Sequence, residues 1–345
     1  MTKTRPLTSL IALERGGLIS SDDVSILEPV TDRYAMAVTG HVARLIDHDN
    51  PSDPIARMFV PSVDELTVLD EELADPIGDQ RHTPVKGIVH RYPNRVLLKP
   101  VAVCPVYCRF CFRREMVGPD LGEALTPGEL DAALEYVRQT ENVTEVILTG
   151  GDPFMLSATR ARALTEALSD IPHVRIIRWH TRMPVADPGR ITEDFISALK
   201  STRAAVYVSV HINHVKELSE ETRASCARMA DDGIALLSQS VLLKGVNDSV
   251  EALCDLFTAL VETRVRPYYL HHPDLAPGTG HFRMSIEDGQ ALYTAVRDRV
   301  SGIAVPHYVI DIPGGVSKAN AAQSDVSSDQ DGILVRGRDG ALYRY

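Results

Sequence analysis

Three of the chain's five cysteines, Cys104, Cys108 and Cys111, fall in the single run CPVYCRFCFRR, spaced C-x3-C-x2-C. Thiolates at this spacing from one loop can hold a metal, because the deprotonated sulfur is the ligating form. Closed iron–sulfur clusters usually take four cysteines. Three therefore cover three corners of a cubane and leave one iron open to another ligand. Structural zinc takes four nitrogen or sulfur ligands, so a site completed by His90 or His180 is the alternative that spacing leaves standing. The other two cysteines, Cys226 and Cys254, lie far apart and read as buried thiols. An odd count with one tight cluster points to metal chemistry in a reducing cytoplasm, not to a disulfide framework.

A second chemical feature is Lys318, at the end of the glycine-containing run DIPGGVSK. A neutral, desolvated lysine amine is a carbonyl nucleophile, although most lysines in such runs are solvated.

These residues need elements to position them. RVLLKPVAV (95–103), EVILTG (145–150), VRIIRWHT (174–181), AVYVSVH (205–211), IALLSQSVLL (234–243) and RPYYLHH (266–272) read as short buried strands. Helical patterns separate them, among them TPGELDAALEYVRQT, SATRARALTEALSD, SEETRASCARMADDG and SVEALCDLFTALVET. Thr126 and Ser219 are expected N-caps and Gly233 an expected helix stop. Such alternation implies parallel βαβ units, and six of them suggest an α/β fold built as a partial (β/α)6 barrel. Ligands gather beyond the carboxyl ends of such strands. That is where Cys104, Gly150-Gly151-Asp152, His180 to Arg182, His211 to His214, Gln239 and His271 to Asp274 fall. Residues 1–94 read as a mainly helical extension, with helix-like pieces VTDRYAMAVTGHVARLI and SVDELTVLDEELADP. Residues 95–304 form the core, and 305–345 a C-terminal segment that carries Lys318 and ends in a hairpin around GRDG.

The net charge of −11 argues against a sequence-independent grip on nucleic acid, which needs clustered Lys and Arg. No apolar run approaches a membrane span, and MTKTRPLTSLIALERGG lacks a signal-peptide core. A cytoplasmic location is the expectation.

In order along the chain, GIVHRYPNRVLLKPVAVCPVYCRFCFRREMVG, ILTGGDPF, HINH, QSVLLKGVND, RPYYLHHPDLAPGTGHFR and DIPGGVSK resemble the lysine 2,3-aminomutase family of radical S-adenosylmethionine enzymes. The resemblance implies a 4Fe–4S cluster on Cys104, Cys108 and Cys111, with S-adenosylmethionine on the open iron. It implies that Gly150, Gly151, Asp152, His211, Gln239 and Arg95 face that cofactor. It further implies pyridoxal 5′-phosphate as a Schiff base on Lys318, on a mobile glycine loop, with Arg91 and Tyr92 at the cofactor. Arg113 would meet the substrate carboxylate, and Asp274 and Asp311 the distal ammonium of L-lysine, which would become β-lysine. A flavodoxin or ferredoxin would donate the electron, and a homo-oligomer is expected. Clostridial-type members carry a zinc-binding C-terminal extension; here Ser249 stands where that type places a zinc cysteine and no cysteine follows Cys254, so zinc is not expected. The compact length is similar to that of members supplying β-lysine to elongation factor P, whereas ILVRGRDGALYRY resembles the free-lysine type. The same chemistry on another amino acid, or a metal-stabilised binding module, are the alternatives.

Overall fold

Runs of Val, Ile and Leu bounded by capped helices fold into one curled sheet. A computed structural model describes residues 5–119, 122, 124–330, 332–337 and 340–344. Nine strands lie in sequence order: β1 (Ile88–Tyr92), β2 (Arg95–Val101), β3 (Glu145–Gly150), β4 (Ile176–Thr181), β5 (Ala205–His211), β6 (Ala235–Val241), β7 (Arg266–His271), β8 (His307–Asp311) and β9 (Lys318–Asn320). Strands β2 to β8 pair in parallel, and β1 and β9 flank them antiparallel. The β/α core is thus the expected half-barrel, with a seventh parallel strand and two edge strands that cross both expected boundaries at 95 and 305.

Local chemistry explains the alternation. Thr126 caps the helix Pro127–Gln139 through a capping box with Glu129, with Pro127 at the first turn. The Ser219 hydroxyl accepts the Thr222 N–H at 3.1 Å at the start of Glu220–Asp231. Each such cap stabilises its helix by about 1 kcal/mol. Gly233 stops that helix at φ +85°, a conformation glycine adopts without steric cost. Between sheet and helices, Trp179, Phe154, Leu168 and Phe257 are fully buried. The helix Ile286–Arg297, after β7, was not foreseen. Its Gly289 breaks the apolar pattern and leaves room for the Tyr308 ring. The expected final hairpin exists as part of a three-stranded sheet, β10 (Val326–Asp329), β11 (Gly332–Arg336) and β12 (Leu342–Arg344). Arg338 and Asp339 of its expected turn lie outside the described residues. No helix among the described residues is long and apolar enough to cross a membrane.

The N-terminal region departs from expectation in two places. Residues 30–46 are two helices, Ser21–Arg33 and Gly40–Leu45, parted by an extended stretch in which Val38 bridges Leu7. Residues 62–76 hold only a 3-10 turn, Val63–Leu66. Their apolar side chains face outward, with Val63, Leu66, Leu69 and Leu73 40–45% exposed. Glu65 points inward instead and is fully buried. Arg109 grips it bidentately, Nε to Oε1 at 2.9 Å and Nη2 to Oε2 at 2.6 Å, and Arg114 pairs with the same Oε2. Burial pushes the Glu65 carboxyl up, but the two guanidiniums overcome this and hold it below the usual range. Because its pKa is depressed in the fold, its contribution to stability is present above the unfolded value and lost as pH falls through the folded one. Glu65→Gln leaves two buried cations short of their anion. It should lower unfolding free energy by about 3–5 kcal/mol, read as a fall in the urea midpoint at unchanged slope.

Candidate functional site

The cysteine loop leaves the end of β2 and is held from two sides. The Tyr107 N–H donates to the Ala37 carbonyl at 3.2 Å and the Arg109 N–H to Met58 at 2.9 Å, which fastens the loop to the N-terminal extension. On the other side, the Gly151 and Asp152 N–H groups donate to Val101 and Val103 at 2.8 and 2.9 Å. Gly150 has φ +108°, and a Cβ there would lie 2.7 Å from the Val101 carbonyl oxygen. The paired glycines are what let the β3 loop close against the cysteine strand. Cys104, Cys108 and Cys111 line one cleft together with Tyr34 and Arg114.

Burial, then Asp152 and the neighbouring thiols, raise Cys104 well above an ordinary thiol. Burial pushes Cys108 up to about 12 although Arg182 opposes it, and burial also raises Cys111. Three converging thiols that disfavour each other's ionisation need a cation among them before they become thiolates. A metal supplies that charge, so the donor set fits a cluster. No group of three or more His, Cys, Asp or Glu among the described residues surrounds a single-ion site; the thiolates of a cubane stand wider than the ligands of one ion. His90 is engaged elsewhere, its Nδ1 2.6 Å from the Tyr136 hydroxyl.

The other strand-end residues form a row across the barrel mouth. His211 pairs in register with Gln239, and Val241 with His271. Gln239 Nε2 lies 3.2 Å from His180 Nε2, and the His180 and His211 rings are 5.9 Å apart. Burial, with the nearby Arg182 and Arg113 charges, lowers His211 to about 3. His180 and His271 are lowered far for the same first reason. These rings are neutral polar groups, not cations. Asp152, expected to face S-adenosylmethionine, is engaged with the protein itself. Its carboxylate already accepts the Phe154 N–H (2.9 Å), the Thr181 hydroxyl (2.8 Å) and the Arg182 N–H (2.7 Å). It ties the β3 and β4 loops together.

At the opposite edges of the sheet, β1 meets β8 and β9 across the barrel opening. Tyr92 accepts the Lys318 backbone N–H at 2.9 Å. Asp311 pairs with Lys318 Nζ, with Arg91 Nη1 at 3.3 Å, and lies 3.9 Å from His271 Nδ1. Asp311, which the resemblance assigns to a substrate ammonium, here pairs with the chain's own lysine. Asp274, beside it, is pushed up to about 7 by burial and by the Asp311 charge, against Lys318, Arg113 and Arg91. Arg95 also departs from expectation. It starts β2 opposite Glu145, whereas Gly150 pairs with Val101 at the far end of the ladder. Its guanidinium stacks 3.8 Å over the Tyr92 ring, so the structure brings it to the Lys318 group and not to the glycine pair.

The lysine loop is docked rather than loose. Gly314 and Gly315 take φ +78° and +80°, the Gly314 N–H donates to the Pro76 carbonyl at 2.9 Å, and a Cβ on Gly315 would strike the Ile77 carbonyl. Arg113 is near the same segment, its Nε bonded to Asp79 Oδ2 at 2.8 Å. Asp79, Lys99 and Glu65 carry no sequence signal, since each acts through a partner that no spacing reveals.

A model of the radical SAM superfamily matches residues 98–257, from β2 through the helix after β6. An L-lysine 2,3-aminomutase of Acetoanaerobium sticklandii is 38% identical over 315 residues, 91% of this chain and 76% of its own. A putative L-lysine 2,3-aminomutase of Treponema pallidum is 38% identical over 90% of both chains. A glutamate 2,3-aminomutase of Clostridioides difficile is 30% identical over 98% of this chain and 80% of its own. Likeness of this depth over most of the chain, with the superfamily match running through the cysteine loop, settles the lineage: the chain belongs to the lysine 2,3-aminomutase family of radical S-adenosylmethionine isomerases, whose chemistry rests on a 4Fe–4S cluster and S-adenosylmethionine.

Proposed function

We propose that the protein moves the α-amino group of L-lysine to Cβ, giving β-lysine, and that Lys318 carries pyridoxal 5′-phosphate. The observation that carries this reading is the set of charges around Lys318: Asp311 pairs with its amine, and Asp274 lies within charge range of Asp311, Lys318 and the Arg113 guanidinium. When bound, the cluster with S-adenosylmethionine supplies the hydrogen-abstracting radical and pyridoxal 5′-phosphate the carbonyl that carries the migrating nitrogen. The fit to the second group rests on a lysine amine beside Arg91, Tyr92 and Arg95, a phosphate-suited set of donors. Before substrate arrives Lys318 would occupy that carbonyl, which removes its charge from Asp311, and it would leave as the neutral amine when the substrate α-amino group takes its place. Asp274 and Asp311 then receive one ammonium, and Arg113 orients the α-carboxylate. The neutral His180, His211 and His271 keep further charge out of a closed site.

Glutamate is the rival substrate, since one relative is named for it, but the two aspartates would repel its distal carboxylate. Anaerobically reconstituted and reduced protein with both cofactors should yield β-lysine. In a panel of lysine, arginine and glutamate, lysine should rank first by kcat/KM. Glutamate ranking first would overturn the substrate assignment. The free-enzyme pH profile carries a sign as well. Asp274 is raised, so it is protonated below about 7 and a poor ammonium acceptor there; kcat/KM for lysine should rise as pH passes through that value. Asp274→Asn should remove this limb and raise KM at least about thirtyfold, ~2 kcal/mol.

A further inference from the structure

We infer that Asp79 is a positioning residue for the substrate carboxylate, holding the Arg113 guanidinium by its side so that the fork of two Nη groups faces the amino acid. This rests on Arg113 being the carboxylate-binding residue of the reading above.

Asp79 is fully buried and 34 residues from its partner in sequence. Its Oδ2 accepts the Arg113 Nε–H at 2.8 Å and lies 3.6 Å from Lys99 Nζ. Engagement through Nε leaves the end of the guanidinium, which has no hydrogen bond among the described residues, to present two parallel N–H donors. That is the geometry in which arginine binds a carboxylate bidentately. The trio of Arg113, Lys99 and Asp79 has a net charge of +1, matched to one carboxylate.

Asp79 is itself fixed. Its N–H donates to Asp75 Oδ1 at 2.8 Å, and its carbonyl accepts the Thr83 hydroxyl at 2.7 Å. The residues just before it hold the rest of the site. The Pro76 carbonyl takes the Gly314 N–H, the Ile77 carbonyl takes Arg91 Nη1 at 3.2 Å, and Gly78 packs against the Gly314 carbonyl. One short segment therefore sets the lysine loop, the Arg91 donor and Arg113 in a single frame. Burial raises the Asp79 carboxyl, but Arg113 and Lys99 outweigh it and hold it low, so it is an anion at neutral pH.

The test measures dissociation constants of L-lysine and L-lysine amide with reconstituted protein, alongside KM and kcat. The lysine-to-amide ratio isolates the carboxylate contact as a double-mutant cycle would. Asp79→Asn raises the trio to +2, so charge alone predicts a stronger preference for the carboxylate. Positioning predicts the opposite: a preference reduced at least about tenfold, mainly in KM, with kcat nearly kept. An unchanged or larger ratio would overturn the inference. Should the Asn variant fail to fold, Asp79→Glu keeps the charge but pushes the carboxylate out by a methylene. It should lower the ratio about threefold, and a full preference there overturns the inference equally. Arg113→Gln is the separate control: if it retains the preference, the assignment of Arg113 falls, whatever Asp79 does.

Discussion

Cys108→Ala should give a folded protein that holds no stable cluster, with turnover reduced at least about 10⁴-fold, because the cofactor carries chemistry the protein alone cannot supply. The argument starts from burial. With no metal present the Cys108 thiol is pushed up to about 12, so it is protonated and adds no charge to the fold. It packs beside Val106 and Phe110 against the N-terminal helices, and alanine keeps an apolar surface there. Stability without metal should therefore change little, while the gain in stability on loading iron and sulfide should vanish. The anaerobic visible spectrum, iron and sulfide content and the EPR signal after reduction read this directly. Cys254→Ser, on a partly exposed helix position outside the cleft, is the control and should retain the cluster. A Cys108→Ala protein with full iron and sulfide content would remove Cys108 from the ligand set.

Lys318→Ala is the second large effect. Borohydride should fix pyridoxal phosphate to Lys318 in the parent protein, located by peptide mass spectrometry, and to nothing in the variant; turnover should fall at least about 10³-fold. The fold should tolerate the change, since Asp311 keeps Arg91 as its counter-charge. The informative rival is Lys99. Burial lowers its ammonium below the ordinary lysine range despite the nearby Asp79, which makes it the other nucleophilic amine of the region. An adduct that persists on Lys99 would show that the carbonyl chemistry sits next to Arg113 and not on β9.

How far the sequence disclosed all this depends on the range of the interaction concerned. β3 and β5 lie where their apolar runs end, because strand length and flanking turns are local properties. The cysteine spacing and the Lys318 motif are also local. Residues 62–76 misled for a physical reason. Val63, Leu66, Leu69 and Leu73 repeat at helical spacing, yet Glu65 and Glu72 are the buried side chains. Their pairs with Arg109, Arg114 and Arg283 decide which way the segment turns, and all three partners are remote in sequence. Strand β1 escaped notice because His90, Arg91 and Tyr92 do not alternate apolar with polar; it forms because it folds back on β2. Asp152 and Asp311 carry ordinary sequence signals but unexpected partners: the neighbouring β4 loop supplies those of Asp152, and the meeting of the two sheet edges brings Arg91 to Asp311.

The strand that carries Lys318 is three residues long and is the last of its sheet, laddered to β8 on one side and held on the other by the Tyr92 hydroxyl at the Lys318 N–H. Amide protons at such a margin exchange by local opening rather than by global unfolding. Deuterium should therefore enter residues 318–320 well before β4 or β5. On the proposed role of Lys318, this local opening lets its amine come off the bound aldehyde while the central strands keep their protons.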